Sequence, residues 1–597
     1  MNPTIKFGLV PLNPTVGDVR ANTDLHISAA RRMTRRGCQV VVFPKMSLFG
    51  YPTGNITLWR EVVKDCWKGL ERFTEAVKNL EPVFIVGLPV ASSRLTYCCA
   101  AVVHQGKVLG LVPQMNISAF DQPYFQSYWR RNDSRTDMEL RVFQTAFGRM
   151  GVIVGEDADT DSRWKILGDV DFAVVPQATY YDSSRSKARQ QNLLARSKGS
   201  YPIAAVSLYG ANDGLIFEGG CSVANNGRLV AERGLFDRGQ PLIVALGPSE
   251  DGPIVRKITP ARSTIISEMI ERRVLGLLDY LRKSGLKGFV VAESGGRDSM
   301  LATLLAVEAL NRYFGHLKPK ARRRAVRKAI IGVGMPTANN TAVTKALARK
   351  FCRELGVPYI EVPIGNAHHN HLHLLQKMLG NKRATAISRQ NDQARLRSTL
   401  IEDLANCLDL LMLNTCDGAE DLIGYAAKFG DGAGDLGAVE DLGKGQVEEM
   451  LRWFFRRSGG KLTAVERCLT ETRPSPELEK GQRAEKDNPP YPIIDMFRVW
   501  FVTEHLTPSQ IYQRACGHWT DQRLKKMDPR YKSKHTLKEW IDWVVNKFTA
   551  NVHKLSVAPL GAAVDPTVTF DRRFFPFPIS QRNVFAADLA YMWSLPE

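Results

Sequence analysis

Six consecutive residues, Ser294-Gly295-Gly296-Arg297-Asp298-Ser299, place two glycines between hydroxyls and next to a carboxylate. Glycines at such a turn let backbone N–H groups approach phosphate oxygens closely. A helix starting directly after them adds the partial positive charge of its N-terminus. Ser294 and Ser299 supply hydroxyl donors, and the Asp298 carboxylate can hold Mg²⁺ or position the pyrophosphate end of ATP. The stretch lacks the G-K-[ST] ending of a Walker A loop. An unliganded glycine turn is the plainer alternative, but the complete S-G-G-x-D-S pattern between an apolar run and a periodic helix argues against it. The expected chemistry is ATP binding and the adenylation of a second substrate.

The elements that must position this loop are legible as a pattern. The apolar run 288–293 predicts a strand and 300–310 a helix. Further strands are expected at 329–335, 359–363 and 411–415, alternating with helical stretches, as in a doubly wound parallel sheet. Before them, strands are expected at 6–11, 39–44, 83–89, 151–155, 171–176 and 203–208, with a helix over 22–36. The Gly- and Pro-rich stretch 246–260 predicts a linker, a long helix follows over 263–283, and the polar stretch 471–490 predicts a flap. Two α/β domains result, 1–250 and 251–597.

Composition sets the class. The chain has 597 residues, 44% hydrophobic and 24% charged, the balance of a soluble globular protein. No apolar run is long enough to cross a bilayer, and the first residues do not resemble a signal peptide. Ten cysteines without paired or metal-like spacing predict reduced thiols in a cytoplasmic protein. The net charge of +20 suits a polyanionic nucleotide. The densest basic run, KPKARRRAVRK at 318–328, has no interleaved aromatics and is expected to be a solvated or inter-subunit helix, not a nucleic-acid contact.

From the loop onward the sequence resembles NAD synthetase of the ATP-pyrophosphatase superfamily. Met335-Pro336 resembles the turn beside which that family holds adenine, and Gln393-Ala394-Arg395-Leu396-Arg397 its Q-A-R-x-R helix. Thr415 to Glu420 falls at its T-x-x-x-x-E segment. Lys428-Phe429-Gly430-Asp431-Gly432, followed by Asp435-Leu436 and Lys444, is similar to the ammonia-dependent members, and His553-Lys554 to the terminal H-K-R. The resemblance implies ATP contacts from Ser294, Gly295, Gly296, Asp298, Ser299, Met335, Arg395 and Thr415. It implies Mg²⁺ on Asp298 and Glu420, and catalytic roles for Asp298, Lys444 and Lys554. Lys428, Asp431, Asp435 and His553 would then face the acid substrate, deamido-NAD or a relative of it. The sequence departs from the pattern at Glu293, Arg297, Cys416-Asp417-Gly418, Ala484 and Leu555, which leaves the acid open.

Residues 1–250 resemble the nitrilase-like glutaminase domain of glutamine-dependent NAD synthetases, which implies an α-β-β-α sandwich. The segments that carry it include Val42-Phe43-Pro44, Phe49-Gly50-Tyr51-Pro52, Phe120-Asp121, Glu156-Asp157 and Phe217-Glu218-Gly219-Gly220. That family's Glu–Lys–Cys triad falls here on Lys45, Leu111 and Gly155. Lys107, the nearest lysine to Leu111, is expected on a hairpin-like turn. A glycine is no nucleophile, and a lysine is no proton-shuttling carboxylate at neutral pH. Lys45 needs a partner if it is buried, and Glu156 is the candidate; the alternative is an exposed Lys45. The expectation is a homo-oligomeric amide ligase that uses free ammonia. A ligase for a different acid and a nucleotide-binding pseudoenzyme are the alternatives.

Overall fold

The computed structural model describes residues 5–92, 95–127, 141–182, 186–246, 264–472, 477–479, 488–565, 569, 571, 573, 575–577 and 584–596. Most of the expected linker, 247–260, and the flap residues 480–487 with Ala484 lie outside the described residues. The chain folds as two compact units, Met1–Arg272 and Arg273–Glu597. The boundary falls inside a helix, Ile265–Ser284, that follows the expected linker.

Among its described residues the first unit is built on fourteen strands: β1 (Ile5–Leu9), β2 (Val40–Val42), β3 (Val83–Ser92), β4 (Leu95–His104), β5 (Lys107–Pro113), β6 (Val142–Thr145), β7 (Gly148–Val152), β8 (Phe172–Pro176), β9 (Ile203–Val206), β10 (Tyr209–Asn212), β11 (Leu215–Glu218), β12 (Cys221–Asn225), β13 (Arg228–Arg233) and β14 (Leu242–Leu246). They form two six-stranded sheets, ordered β14-β1-β2-β3-β4-β5 and β13-β12-β9-β8-β7-β6, and a β10–β11 hairpin. Phe7 of β1 meets Phe172 of β8 edge to face at 5.4 Å, which fixes how the inner faces of the sheets pack. The helices Val19–Arg35 and Arg60–Ala76 bury Met33, Val63, Leu70 and Phe73, one side of each helix. The expected strands are all present within a few residues. The sequence pattern missed the antiparallel partners β4 and β5, in which buried residues run on without alternation on one half of the strand.

The second unit has one parallel sheet, β17-β16-β15-β18-β19-β20, from β15 (Gly288–Ala292), β16 (Ile330–Gly334), β17 (Tyr359–Glu361), β18 (Leu410–Asn414), β19 (Leu436–Gly437) and β20 (Leu560–Gly561). β15 pairs in parallel with both β16 and β18, so the strand order reverses beside it. In such a sheet the chain leaves neighbouring strands toward opposite faces at that point, and a crevice opens at their carboxyl ends. The S-G-G-R-D-S loop lies there because it follows β15. A separate helical core around Phe497, Phe501, Tyr531, Trp540 and Phe548 closes the C-terminal part. The basic run 318–328 forms the helix Pro319–Lys328, with Lys320, Arg323, Arg324, Arg327 and Lys328 exposed. No helix among the described residues is long and apolar enough to cross a membrane. All ten cysteines are free thiols.

Candidate active site

The loop turns sharply between β15 and the Arg297–Tyr313 helix. Gly295 has φ +82°, and a Cβ there would lie 2.3 Å from the Thr344 carbonyl oxygen, so conformation and space both require glycine. Within the turn, Gly296 N–H donates to Ser294 Oγ at 3.1 Å, and the Ser294 and Ser299 hydroxyls meet at 3.2 Å. Asp298 lies in the first turn of the helix. The loop lines a cavity of about 270 Å³, together with Met335, Asn340, Arg397, Thr415, Glu420, Asp431, Lys444 and Tyr491.

Lys444 is the electrostatic centre of that cavity. It begins the Lys444–Arg457 helix and is 6% exposed. Its Nζ lies 2.9 Å from Asp298 Oδ2, 2.9 Å from Asp417 Oδ2 and 2.8 Å from Glu420 Oε1. Burial disfavours the ammonium, but these carboxylates outweigh it and hold the Lys444 pKa well above the usual lysine value. Burial likewise pushes the Asp417 and Glu420 carboxyls up, against the pull of Lys444. Asp417 caps the short Gly418–Ile423 helix, its Oδ1 accepting from Ala419 N–H (3.1 Å) and Glu420 N–H (3.0 Å). The sequence pattern noted Asp417 only as a departure. Its position directly before G-A-E, a cap before a helix start, was the available signal.

The other expected site residues divide. Met335, Thr415 and Asp431 line the cavity with the loop. Arg395 does not: its Nε donates to the Lys428 carbonyl at 3.1 Å. The helix presents Ala394, Arg397, Ser398 and Ile401 to the cavity instead. The spacing i, i+3, i+4, i+7 is one helical face, and Arg395 lies off it. Lys554 donates to the carbonyls of Gly424 (2.7 Å) and Ala426 (3.0 Å). Asp435 Oδ2 accepts from Met412 N–H at 2.7 Å and so ties β18 to the strand that follows. Lys428, Asp435, His553 and Lys554 are not among the lining residues, and the Lys428 ammonium rests 5.0 Å from the Phe429 ring centre. Asn340, Thr344, Glu477 and Tyr491 line the cavity without having been singled out in the sequence, and Arg397 was named only within its motif.

In the first unit Lys45 is 1% exposed and ion-paired, with Nζ 2.8 Å from Glu156 Oε2 and 3.5 Å from Asp121 Oδ2. The Glu156 partner is the expected one, and the exposed alternative for Lys45 does not hold. Asp121 also accepts from the Tyr51 hydroxyl at 3.1 Å. Leu111 lies within β5 opposite Ala101, while Lys107 starts the strand, exposed, next to the hairpin turn. The polar side chain that reaches the Lys45 cluster after β5 is Gln114, not one at Leu111. Gln114 Nε2 donates to Glu156 Oε2 at 2.6 Å. Gly155 has φ +56°, and a Cβ there would lie 2.9 Å from Lys45 Cδ and 3.3 Å from Gln114 Nε2. The Lys45 side chain and the missing side chain at 155 therefore fit each other. Cys221 is fully buried in β12, and burial pushes its thiol up, the state of a packed core cysteine.

Comparisons with known proteins match the two halves of the chain to different families. Residues 269–538 match the NAD synthase family and residues 6–248 the carbon-nitrogen hydrolase family. The chain is similar to the glutamine-dependent NAD(+) synthetases of Thermotoga maritima (26% identical, covering 86% of this chain and 91% of the relative) and Aquifex aeolicus (26% identical, covering 91% and 100%). It shares its fold with a crystal structure of a glutamine-dependent NAD(+) synthetase from Cytophaga hutchinsonii. The TM-score is 0.82 at 19% identity, covering 99% of this chain and 100% of the other. The chain thus carries a carbon-nitrogen hydrolase domain over 6–248 followed by an NAD synthase domain over 269–538.

Proposed function

We propose that this chain is an ATP-dependent amide ligase of NAD-synthetase type that aminates an adenylated carboxylate with free ammonia, and that its hydrolase-like unit releases no ammonia from glutamine. The observation that carries the first half is the Lys444 cluster opening onto the phosphate-loop cavity. The observation that carries the second is Lys45 filling the space beside Gly155.

The chemistry follows from charge. A carboxylate attacks the α-phosphorus of ATP, pyrophosphate leaves, and ammonia then displaces AMP from the acyl-adenylate to give the amide. The attack gathers negative charge on the phosphorus oxygens and the leaving pyrophosphate, so fixed cations and donors in a confined cavity lower the barrier. The Ser294 hydroxyl stands at the loop for the phosphates, and Lys444, 2.9 Å from Asp298 of the same loop, faces the same charge. Asp298 and Glu420 fit a magnesium ion: both offer hard oxygen ligands, and Asp298 Oδ1 is buried without a hydrogen-bond partner among the described residues. Bound there with ATP, the ion would neutralise charge on the polyphosphate. Among the described residues no ready-made cluster of three or more His, Cys, Asp or Glu side chains could hold a metal, in keeping with the Lys444 ammonium standing between the carboxylates.

Deamido-NAD is the acid that the relatives' name suggests. A second reading, a ligase for another acid, draws on the absence of Asp435, His553 and Lys428 from the cavity wall. The deciding assay supplies ATP, Mg²⁺ and deamido-NAD with ammonium or with glutamine, and follows AMP and NAD. NAD formed from ammonium alone is the expected result. NAD formed from glutamine would overturn the assignment of the N-terminal unit. AMP released only with a different acid would establish the second reading.

A further inference from the structure

Directly before the phosphate loop stands a carboxylate that the chemistry above does not use. Glu293 follows β15, its N–H donating to the Val333 carbonyl of β16 at 2.9 Å, and it is 1% exposed. Its Oε1 accepts from Gly295 N–H at 3.1 Å and from the Ser299 hydroxyl at 2.7 Å. Its Oε2 accepts from the Thr303 hydroxyl at 2.8 Å. Two of these donors belong to the loop whose purpose is to receive an anion, and Glu293 lines the same cavity. An internal carboxylate therefore already holds donors that a polyphosphate chain would use.

Among the described residues no cation compensates it. Cys352 of the Ala342–Leu355 helix, Tyr359 of β17 and Cys468 of the Thr463–Glu471 helix face it as neutral groups. On the Arg297–Tyr313 helix, the Arg297 guanidinium is turned to Glu448 and to the Thr472 carbonyl, and Asp298 to Lys444. Lys345 lines the cavity but is not one of its partners. Burial pushes the Glu293 carboxyl up to about 7, while its three donors pull the other way.

We propose that Glu293 is a positioning residue of the nucleotide site, one that fixes the loop through Gly295 and Ser299 and takes up a proton when the polyphosphate of ATP settles on the same turn. This rests on the nucleotide-binding reading of the cavity. In the free protein the ionised carboxylate orders the loop as an anion would. When the phosphates bring negative charge beside it, the protonated carboxyl becomes the favoured form, and the loop donors are released to the ligand. Binding then consumes a proton wherever the pH lies above the value of the free protein and below that of the complex.

The test is calorimetric titration of the full chain with magnesium-ATP and no acid substrate, between pH 6 and 8.5, in buffers of different ionisation enthalpy. Wild type should lose affinity above pH 7, approaching about tenfold per pH unit, with net proton uptake. Glu293→Gln keeps one oxygen to accept from Gly295 N–H and the Ser299 hydroxyl, offers its NH2 to the Thr303 hydroxyl oxygen as the protonated acid would offer its O–H, and cannot titrate. Its affinity should stay flat over this range after the same nucleotide correction, and match wild type within about twofold at pH 6. Thr303→Val removes a donor that favours the charged form, so the onset of the wild-type loss should move to higher pH. This second variant keeps the test open if Glu293→Gln does not fold. Equal pH slopes and equal proton uptake in wild type and Glu293→Gln, or an onset unmoved in Thr303→Val, would overturn the inference while leaving the nucleotide site standing. Absence of binding in wild type would overturn the site itself and this inference with it.

Discussion

Lys45 and Lys444 are both buried, and each stands 2.8 Å from a glutamate oxygen. Lys45 has Glu156 and Asp121 around it; Lys444 has Asp298, Asp417 and Glu420. The difference lies in what adjoins them. Beside Lys45 the space is taken, since even a Cβ on Gly155 would touch the lysine stem. Beside Lys444 the wall opens into a cavity that the phosphate loop lines with it. A buried ammonium among carboxylates is thus not by itself a catalytic device. It becomes one where a substrate with charge to stabilise can reach it, and otherwise it is a charge that its neighbours must neutralise.

Substitutions can break this contrast, and the largest effect is expected at the open site. Asp298→Ala should lower AMP-forming turnover by at least about a thousandfold, because it removes the proposed metal ligand and one of the Lys444 partners together. Steady-state kinetics with ammonium check this, and unchanged turnover would mean the loop is misassigned. Lys45→Ala should leave the ammonium-driven kcat within about twofold. It should instead destabilise the N-terminal unit by about 3–5 kcal/mol, since Glu156 and Asp121 lose their counter-charge. Denaturant unfolding alongside the activity assay separates the two effects.

A pH experiment sharpens the contrast on the stability side. Burial pushes the His26 imidazole down to about 4, with its ring held between the Asn22 carbonyl and Ser47. The unfolded chain takes up that proton near pH 6.5 and the folded one only near 4. The His26 contribution is therefore fully present above pH 6.5 and is lost as pH falls toward 4, by up to about 3 kcal/mol. Glu293 has the opposite sign: its raised pKa costs stability as pH rises from about 4.5 to 7. Unfolding of His26→Gln between pH 7 and 5 should show a shallower acid loss than wild type, and Glu293→Gln a shallower loss toward pH 7. Parallel slopes in wild type and variant would refute either assignment.

Gly155→Cys restores the nucleophile's residue type at the closed site. It should give no glutamine hydrolysis and cost about 1–3 kcal/mol, because the new side chain must displace Lys45. Ammonia release from glutamine by this single variant would show that the site is open after all. The smallest change is expected for Asp435→Ala, about 1 kcal/mol of stability for the lost Met412 hydrogen bond, with KM for the acid unaltered. A large rise in that KM would restore Asp435 to the substrate site.

The amino-acid order was enough to locate β15, the loop and the following helix, because an apolar run, paired glycines and a 3.6-residue period are local signals. The resemblance aligned Lys45 and Gly155 with the family's glutamate and cysteine, and the residue types named Glu156 as the Lys45 partner. Residue identity excludes a nucleophile whatever the fold. Helix facing was harder to read. Arg395 and Arg397 stand two positions apart in a motif, yet only Arg397 faces the cavity, since two residues along a helix is a turn of some 200°. The same limit hid Gln114 behind Leu111 and made Asp435 a strand tie, not a cavity residue. Glu293 was visible as an acid where an apolar residue is usual. That it holds the loop from beneath depended on Gly295, Ser299 and Thr303 being brought around it. Local sequence fixes which groups exist and which elements carry them; only the packed chain sets which way each side chain points, and whether space remains beside it for a ligand.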